Sequence, residues 1–169
     1  INYFNTKNNV KVVKVFCNNS KAKVFERCNR LKIEAILFSK EEFFHSETIL
    51  KELKEIADYI VLAGFLWKIP SNIIQAFPNR IINIHPALLP KYGGKGMYGM
   101  HVHNAVKENN ESESGITIHF VNENYDEGAI IFQATTHIES SDSPEDIAQK
   151  IHKLEYKHFP KIIDSVING

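Results

Sequence analysis

The sequence predicts an α/β fold with a mostly parallel sheet and an antiparallel addition towards the C-terminus. Strand and helix patterns alternate up to about residue 85, the order that builds parallel βαβ units. Residues 59–63 form an unbroken apolar run, Tyr-Ile-Val-Leu-Ala, ending at Gly64. Such a run reads as a strand buried on both faces. Two further strand patterns follow near residues 115 and 130 and supply the antiparallel part.

Taken in order, Ile1, Tyr3 and Phe4 have the spacing of a helix end that Asn8-Asn9 can close. Residues 10–16 alternate as a strand and turn at Asn18-Asn19-Ser20. Ser20 is the expected N-cap of a short helix over 21–30, and 33–38 reads as the second strand. Ser46 is expected to cap a helix over 47–57. Its Ile49, Leu50, Leu53, Ile56 and Ala57 recur at three and four residues, and Glu47 and Lys51 make an i,i+4 pair. Phe65, Leu66 and Trp67 form an apolar loop, followed by a short helix from Pro70 to Phe77. Residues 81–84 are a strand that Pro86 and Pro90 stop from continuing. Residues 91–100, with Gly93, Gly94, Gly96 and Gly99, require a flexible or tightly turned loop. Residues 101–109 read as helix. Residues 115–122 read as a strand with Ile116, Ile118 and Phe120 opposite Thr117, His119 and Val121. An acidic turn leads to a last strand over 129–137. The final helix opens on Ser143-Pro144 with Asp146 in the capping-box position, where the shorter Asp replaces the usual Glu. Pro160 is expected to bend or interrupt it.

At 169 residues, 43% hydrophobic and 24% charged, the chain has the length of one domain and can bury a full core. Lys+Arg and Asp+Glu are equal at 20 each, which removes a global electrostatic case for nucleic acid or an anionic membrane. No apolar run reaches the length of a membrane span and no secretory signal leads the chain, so the cytoplasm is the expected location. Cys17 and Cys28 lack a metal-ligand pattern and read as free thiols. The chain opens on Ile1, not Met, so its first residue is not expected to be the start of the natural protein.

Several signatures are missing: P-loop, dinucleotide fingerprint, Gly-x-Ser-x-Gly elbow and an obvious catalytic Ser or Cys. Gly93-Gly94-Lys95-Gly96 does not lead a strand directly into a helix, and reads as a surface loop. His101, His103 and His137 form no metal set and read as ordinary surface or core histidines. Asn83 and His85 remain. They lie two residues apart on one face of a strand that ends in Pro86, so an amide and an imidazole leave rigid backbone side by side. The same residues also admit an edge strand with an incidental histidine. A carboxylate to accompany them is Asp126, in a turn followed by Glu127-Gly128; by spacing alone it reads as a solvated acidic turn. An amide, an imidazole and a carboxylate suit acyl transfer to an amine. The amide and a protonated imidazole stabilise a tetrahedral oxyanion, and the carboxylate tunes the imidazole or moves a proton through water.

Four segments carry a resemblance. They are Val61-Leu62-Ala63-Gly64-Phe65, Asn83-Ile84-His85-Pro86-Ala87-Leu88-Leu89-Pro90-Lys91-Tyr92, Gly115-Ile116-Thr117-Ile118-His119-Phe120-Val121 and Tyr125-Asp126-Glu127-Gly128. In that order they resemble the phosphoribosylglycinamide formyltransferases, folate-dependent enzymes of de novo purine synthesis. The resemblance runs from about Val10 to the C-terminus. It implies a Rossmann-like formyltransferase fold in a single domain over 1–169, with helices on both faces of the sheet. It implies transfer of a formyl group from 10-formyltetrahydrofolate, as co-substrate and without a metal, to the primary amine of glycinamide ribonucleotide. Asn83 and His85 would hold the oxyanion, and Asp126 would pair with His85 and assist proton transfer. His119 would support the pocket, although by its residues alone it reads equally as a buried strand histidine. Leu66, Trp67, Ile69, Asn122 and Tyr125 would form the folate pocket; many members carry Arg where Trp67 stands. Pro86 would line the substrate cleft, and Glu155 would bind ribose hydroxyls, where without the resemblance it reads as a solvated helix glutamate. The Leu89–Pro90 bond matches one that is cis in the family. The protein would act on small molecules as a monomer or homodimer, with no nucleic-acid or membrane partner.

Two departures stand out. The 91–100 loop is longer than in many members and could serve as a lid. The strand and Gly-rich phosphate loop with which the family begins are absent ahead of Ile1. Since that strand would be central, the natural protein is expected to carry residues before Ile1, and the chain without them to lack the phosphate grip and fold poorly. Among sister families, methionyl-tRNA formyltransferase would need a further C-terminal domain and a basic face. A formyltetrahydrofolate hydrolase would carry a regulatory domain, and a sugar-nucleotide formyltransferase would lack the Glu155 helix. A non-catalytic Rossmann-like binding module could dispense with Asn83, His85 and Asp126.

Overall fold

The computed structural model describes residues 1–169. They divide into two compact units, Ile1–Asp58 with Asn168, and Tyr59–Ile167 with Gly169.

The first unit holds a 3-10 turn (Phe4–Thr6), β1 (Lys14–Cys17), α1 (Val24–Leu31), β2 (Glu34–Leu37), α2 (Lys40–Phe44) and α3 (Thr48–Ile56). β1 and β2 pair in parallel, Lys14 opposite Glu34 through Cys17 opposite Leu37. β1 is shorter than expected because its partner begins only at Glu34. Ser20 does not cap α1. Asn19 instead accepts the Lys21 N–H on its side chain and the Ala22 N–H on its carbonyl, each at 3.0 Å, and this turn delays the helix to Val24. α2 was not anticipated, although its signal is local. Ser39 and Glu42 form a complete capping box, with the Glu42 N–H on Ser39 Oγ at 3.2 Å and the Ser39 N–H on Glu42 Oε2 at 2.7 Å. Ser46 Oγ accepts from the Thr48 N–H at 3.3 Å, but α3 starts at Thr48, with Glu47 as its N-cap. The expected Glu47–Lys51 pair is present at 3.4 Å. Cys17 and Cys28 are free thiols.

The second unit holds β3 (Ile60–Leu62), α4 (Ser71–Ala76), β4 (Ile81–His85), α5 (Met100–Glu108), β5 (Glu113–Phe120), β6 (Ile130–His137) and α6 (Pro144–Asn168). Its sheet runs β3-β4-β5-β6. β3 and β4 are parallel, while β4–β5 and β5–β6 are antiparallel, so the α/β class holds and its antiparallel part begins at β4. Val61 is 40% exposed, so β3 is not buried on both faces. β3 has a hydrogen-bonded neighbour on one side only, which leaves its side chains less covered. The core joins Ile82 of β4 and Ile116 and Ile118 of β5 to Val106 of α5 and to Ile147 and Ile151 of α6. Burying one such side chain contributes about 1.5–3 kcal/mol. Pro160 does not interrupt α6, which continues to Asn168. Phe159, Ile162 and Val166 pack on the same core and hold the helix across the lost N–H. Asp146 completes the capping box despite its shorter side chain, accepting the Ser143 N–H at 3.0 Å. No helix is long and apolar enough to cross a membrane.

Candidate active site

β4 carries Asn83 and His85 on one face and Ile82 and Ile84 on the other. Across the antiparallel ladder, Asn83 lies opposite His119 and His85 opposite Thr117. Ladder register therefore puts the β5 histidine beside the β4 amide. Between Ile118 and His119 the β5–β6 register shifts: Ile118 pairs with Phe132 and His119 with Ile130, leaving Ile131 as an extra residue. A bulge at this point re-aims the strand end towards the turn that follows.

That turn delivers Asp126. Its backbone is left-handed (φ 56°), which is uncommon outside glycine and more readily tolerated by Asp. Two glycines make room for it. A Cβ on Gly128 would stand 1.7 Å from the Phe120 carbonyl oxygen, and one on Gly93 would stand 2.5 Å from Leu89 Cδ2 and 3.3 Å from the Asp126 Cβ. The Asp126 side chain is only 12% exposed, so it is not a solvated turn residue.

Asn83, His85, His119 and Asp126 come together. Asp126 Oδ2 is 3.5 Å from His85 Nδ1, and Oδ1 is 3.7 Å from His119 Nε2. Both gaps exceed a hydrogen bond. The carboxylate's direct donor is the Gly94 N–H, at 2.9 Å. His119 Nδ1 donates to the Phe120 carbonyl at 2.9 Å, so in the neutral ring Nε2 accepts from the Asn83 amide at 3.2 Å. His85 Nε2 donates to the Tyr92 carbonyl at 2.7 Å, which leaves Nδ1 facing Asp126. Burial holds His85 below the ordinary imidazole value; Asp126 and the Tyr92 carbonyl oppose that shift, and His119 adds to it. Burial pushes the Asp126 carboxyl up, but contacts with His119, His85 and the Gly94 N–H outweigh it, so the group stays ionised below the usual carboxylate range. The result is a buried anion flanked by two imidazoles, beside an amide with a second N–H to give.

Residues that the sequence did not single out complete the arrangement. Tyr92 and Gly94, in the loop read as a lid or surface turn, bind His85 and Asp126 directly. Thr117 Oγ1 donates to the Ala87 carbonyl at 2.7 Å and accepts the Leu89 N–H at 2.9 Å, clamping the chain that follows His85. Gln133 donates to Thr117 Oγ1 at 2.9 Å and to the Leu89 carbonyl at 3.1 Å. The sequence signal for the loop was Gly93 beside Gly94: the missing side chain of Gly93 lets the loop approach the Asp126 turn, and Gly94 takes a positive φ of 93°. The Leu89–Pro90 peptide is cis.

The cluster's hydrogen bonds run to Tyr92, Gly94 and Phe120, not to the other predicted residues. Leu66 is 54% and Tyr125 38% exposed, whereas Ile69 is buried in the core. Trp67 is half-buried with its ring edge-on to Phe65 at 5.9 Å. Asn122 Oδ1 accepts the Asn124 N–H at 3.0 Å and shapes the turn. Pro86 and Glu155 are half-buried. Burial raises the Glu155 carboxyl, with His152 acting against it. No group of His, Cys, Asp or Glu side chains is placed to hold a metal ion. His103 is buried and His101 exposed, and His137 lies 3.2 Å from Glu139 on the surface.

The family described as formyl transferase matches residues 2–163. Phosphoribosylglycinamide formyltransferase of Bacillus subtilis is 35% identical over 156 residues, covering 89% of this chain and 77% of that protein. The chloroplastic phosphoribosylglycinamide formyltransferase of Arabidopsis thaliana is 48% identical over 109 residues, 64% of this chain. The chain spans 37% of the length of that plant relative. Among solved structures, phosphoribosylglycinamide formyltransferase from Anaplasma phagocytophilum superposes with a TM-score of 0.87 at 27% identity, over 98% of this chain and 78% of that one.

Proposed function

The chain belongs to the formyl transferase family, and from that premise we propose that it transfers the formyl group of 10-formyltetrahydrofolate to the primary amine of glycinamide ribonucleotide, in de novo purine biosynthesis. The observation that carries this reading is the buried grouping of Asn83, His85, His119 and Asp126 at one end of the β4–β5 pair. The name of these relatives, phosphoribosylglycinamide formyltransferase, supports the acceptor and the formyl transfer.

The substrate amine is itself the nucleophile, so the reaction asks the protein for orientation, charge stabilisation and proton movement rather than for a nucleophilic side chain. Attack on the formyl carbon puts negative charge on the formyl oxygen. We assign to that oxygen the Asn83 N–H not given to His119. His85 rests neutral and can take a proton on Nδ1, so that positive charge grows beside the oxyanion and next to Asp126. That proton is the one shed by the attacking amine: Asp126, ionised at rest, draws it through a water bonded to both its carboxylate and His85 Nδ1, which stand 3.5 Å apart, and passes it to the imidazole. The same relay returns a proton to the folate nitrogen as the carbon–nitrogen bond to the formyl group breaks.

Leu66 and Trp67, with the Asn122–Tyr125 turn, are assigned to the folate; Ile69, expected there too, has its side chain buried in the core and offers no surface to it. The exposed Leu66 and Tyr125 offer apolar surface, and the turn offers backbone donors and acceptors. Pro86 and Glu155 are assigned to the ribonucleotide. The free thiols Cys17 and Cys28 fit a reducing compartment, which we take to be the cytoplasm. We take the chain to act as one domain, as a monomer or homodimer. The test is an assay of the protein with 10-formyltetrahydrofolate and glycinamide ribonucleotide, beside a sugar-nucleotide amine and water as alternative acceptors. Formylation of the ribonucleotide is expected; transfer only to the sugar amine, or hydrolysis alone, rejects the reading.

A further inference from the structure

Glu111 lies at the turn after α5, outside the segments that carry the family resemblance. Its Oε1 accepts from the Tyr92 hydroxyl at 2.9 Å and from Lys91 Nζ at 3.0 Å. Tyr92 stands in the left-handed region (φ 56°), a backbone state that a bulky residue holds only when its surroundings impose it. Its carbonyl is the acceptor for His85 Nε2, and two residues on, the Gly94 N–H is the donor to Asp126. One carboxylate therefore fastens the short segment whose backbone touches both the imidazole and the carboxylate of the site.

We propose that Glu111 is a positioning residue for His85, acting through Tyr92. With the phenol anchored to Glu111, the Tyr92 carbonyl is held where it fixes the His85 Nε2–H tautomer and turns Nδ1 towards Asp126. The fastening does not switch off in the working range. Burial and Glu111 push the Tyr92 hydroxyl up to about 12, so it stays a donor. Lys91 and Tyr92 hold the Glu111 carboxyl below its ordinary value, so it stays an ionised acceptor. Charge-assisted bonds of this kind are the stronger ones.

This role rests on His85 being a working group of the proposed formyl transfer, and a readout without substrate separates the two. The test is a pH titration of the His85 ring by NMR in the unliganded protein, in wild type, Glu111→Ala, Glu111→Gln and Tyr92→Phe, the last preserving ring packing if Glu111→Ala folds poorly. The Tyr92 carbonyl favours the charged imidazole, so its release moves the His85 midpoint to lower pH, by about half a pH unit, and mixes the tautomers. Glu111→Ala and Tyr92→Phe are both expected to show this, while Glu111→Gln, which keeps an acceptor for the phenol, stays near wild type. In the formyl-transfer assay the first two should lose about tenfold in kcat with little change in KM, and the double variant should lose no more than either alone. An unchanged His85 midpoint and tautomer in both Glu111→Ala and Tyr92→Phe overturns the proposal whatever the enzyme proves to formylate; a wild-type protein inactive on the ribonucleotide but with the expected His85 shifts overturns only the assigned reaction.

Discussion

Asn83 and His119 face each other across the β4–β5 ladder, with the amide nitrogen 3.2 Å from the imidazole Nε2. The ring's other nitrogen is committed to the Phe120 carbonyl, so the ring presents a lone pair to the amide and settles which end of the amide turns towards it. The same contact determines where the second N–H of Asn83 points. A histidine with no place in the chemical steps thus orients the group assigned to the oxyanion.

Removing that donor should be costly. Asn83→Ala is expected to lower kcat for formyl transfer about 100-fold or more, the usual loss for an oxyanion donor. His119→Phe, which leaves the donor but frees its orientation, should lose about tenfold. Steady-state kinetics on the two variants check this, and wild-type turnover in Asn83→Ala would remove the oxyanion role.

Asp126→Asn keeps the shape and an oxygen for the Gly94 N–H but removes the charge. The fold should survive, with a thermal midpoint within a few degrees of wild type, while kcat falls about 100-fold or more. The pH profile carries the sign. In the proposed reaction His85 starts neutral, so wild-type kcat/KM should rise as pH climbs through a midpoint below the ordinary imidazole value of 6.5. Asp126 raises His85 against its burial, so the residual activity of Asp126→Asn should show that midpoint at still lower pH.

Gly128→Ala tests the turn. The new methyl would overlap the Phe120 carbonyl, a backbone group that cannot rotate away, and the turn must shift. A stability loss of about 1–3 kcal/mol in urea unfolding, together with a loss of activity through a displaced Asp126, is expected. Full activity in this variant would show that the turn has slack.

His103 gives a stability prediction independent of the reaction. It is buried with no hydrogen-bond partner for Nδ1, and burial, with His152 and His85, pushes it down to about 4. Its folded value lies below the unfolded one, so between pH 6.5 and about 4 the unfolded chain binds the proton and the folded chain does not. The folded state should lose about 3 kcal/mol as pH falls through that window and regain it above. Urea midpoints at both ends of the window, in wild type and in His103→Gln, check this; an equal pH dependence in the two proteins would refute it.

Much of the fold was legible because its signals are local. The six strands, the helix over 100–108 and the cap at Ser143 follow from periodicity and from short side-chain-to-backbone bonds that neighbouring residues make by themselves. The misreadings had tertiary causes. Pro160 was expected to bend or interrupt α6, but the apolar face around it is held by the core. Val61 was expected to be buried, but β3 has a single paired neighbour.

The sequence by itself determined the α/β class, the pairing of Asn83 with His85 on one strand face, and the presence of an acidic turn at Asp126. Side-chain alternation and turn chemistry need nothing more than the chain's own neighbours. Only the tertiary structure decided what those residues are to one another. The β4–β5 register chose His119 as the partner of Asn83, and the approach of the 91–94 loop gave His85 and Asp126 their backbone contacts. Burial then set His85 below its ordinary value, and contacts across long stretches of chain kept Asp126 ionised. Apart from the His85–Tyr92 bond, these effects depend on distances between residues tens of positions apart in sequence, which no local pattern encodes.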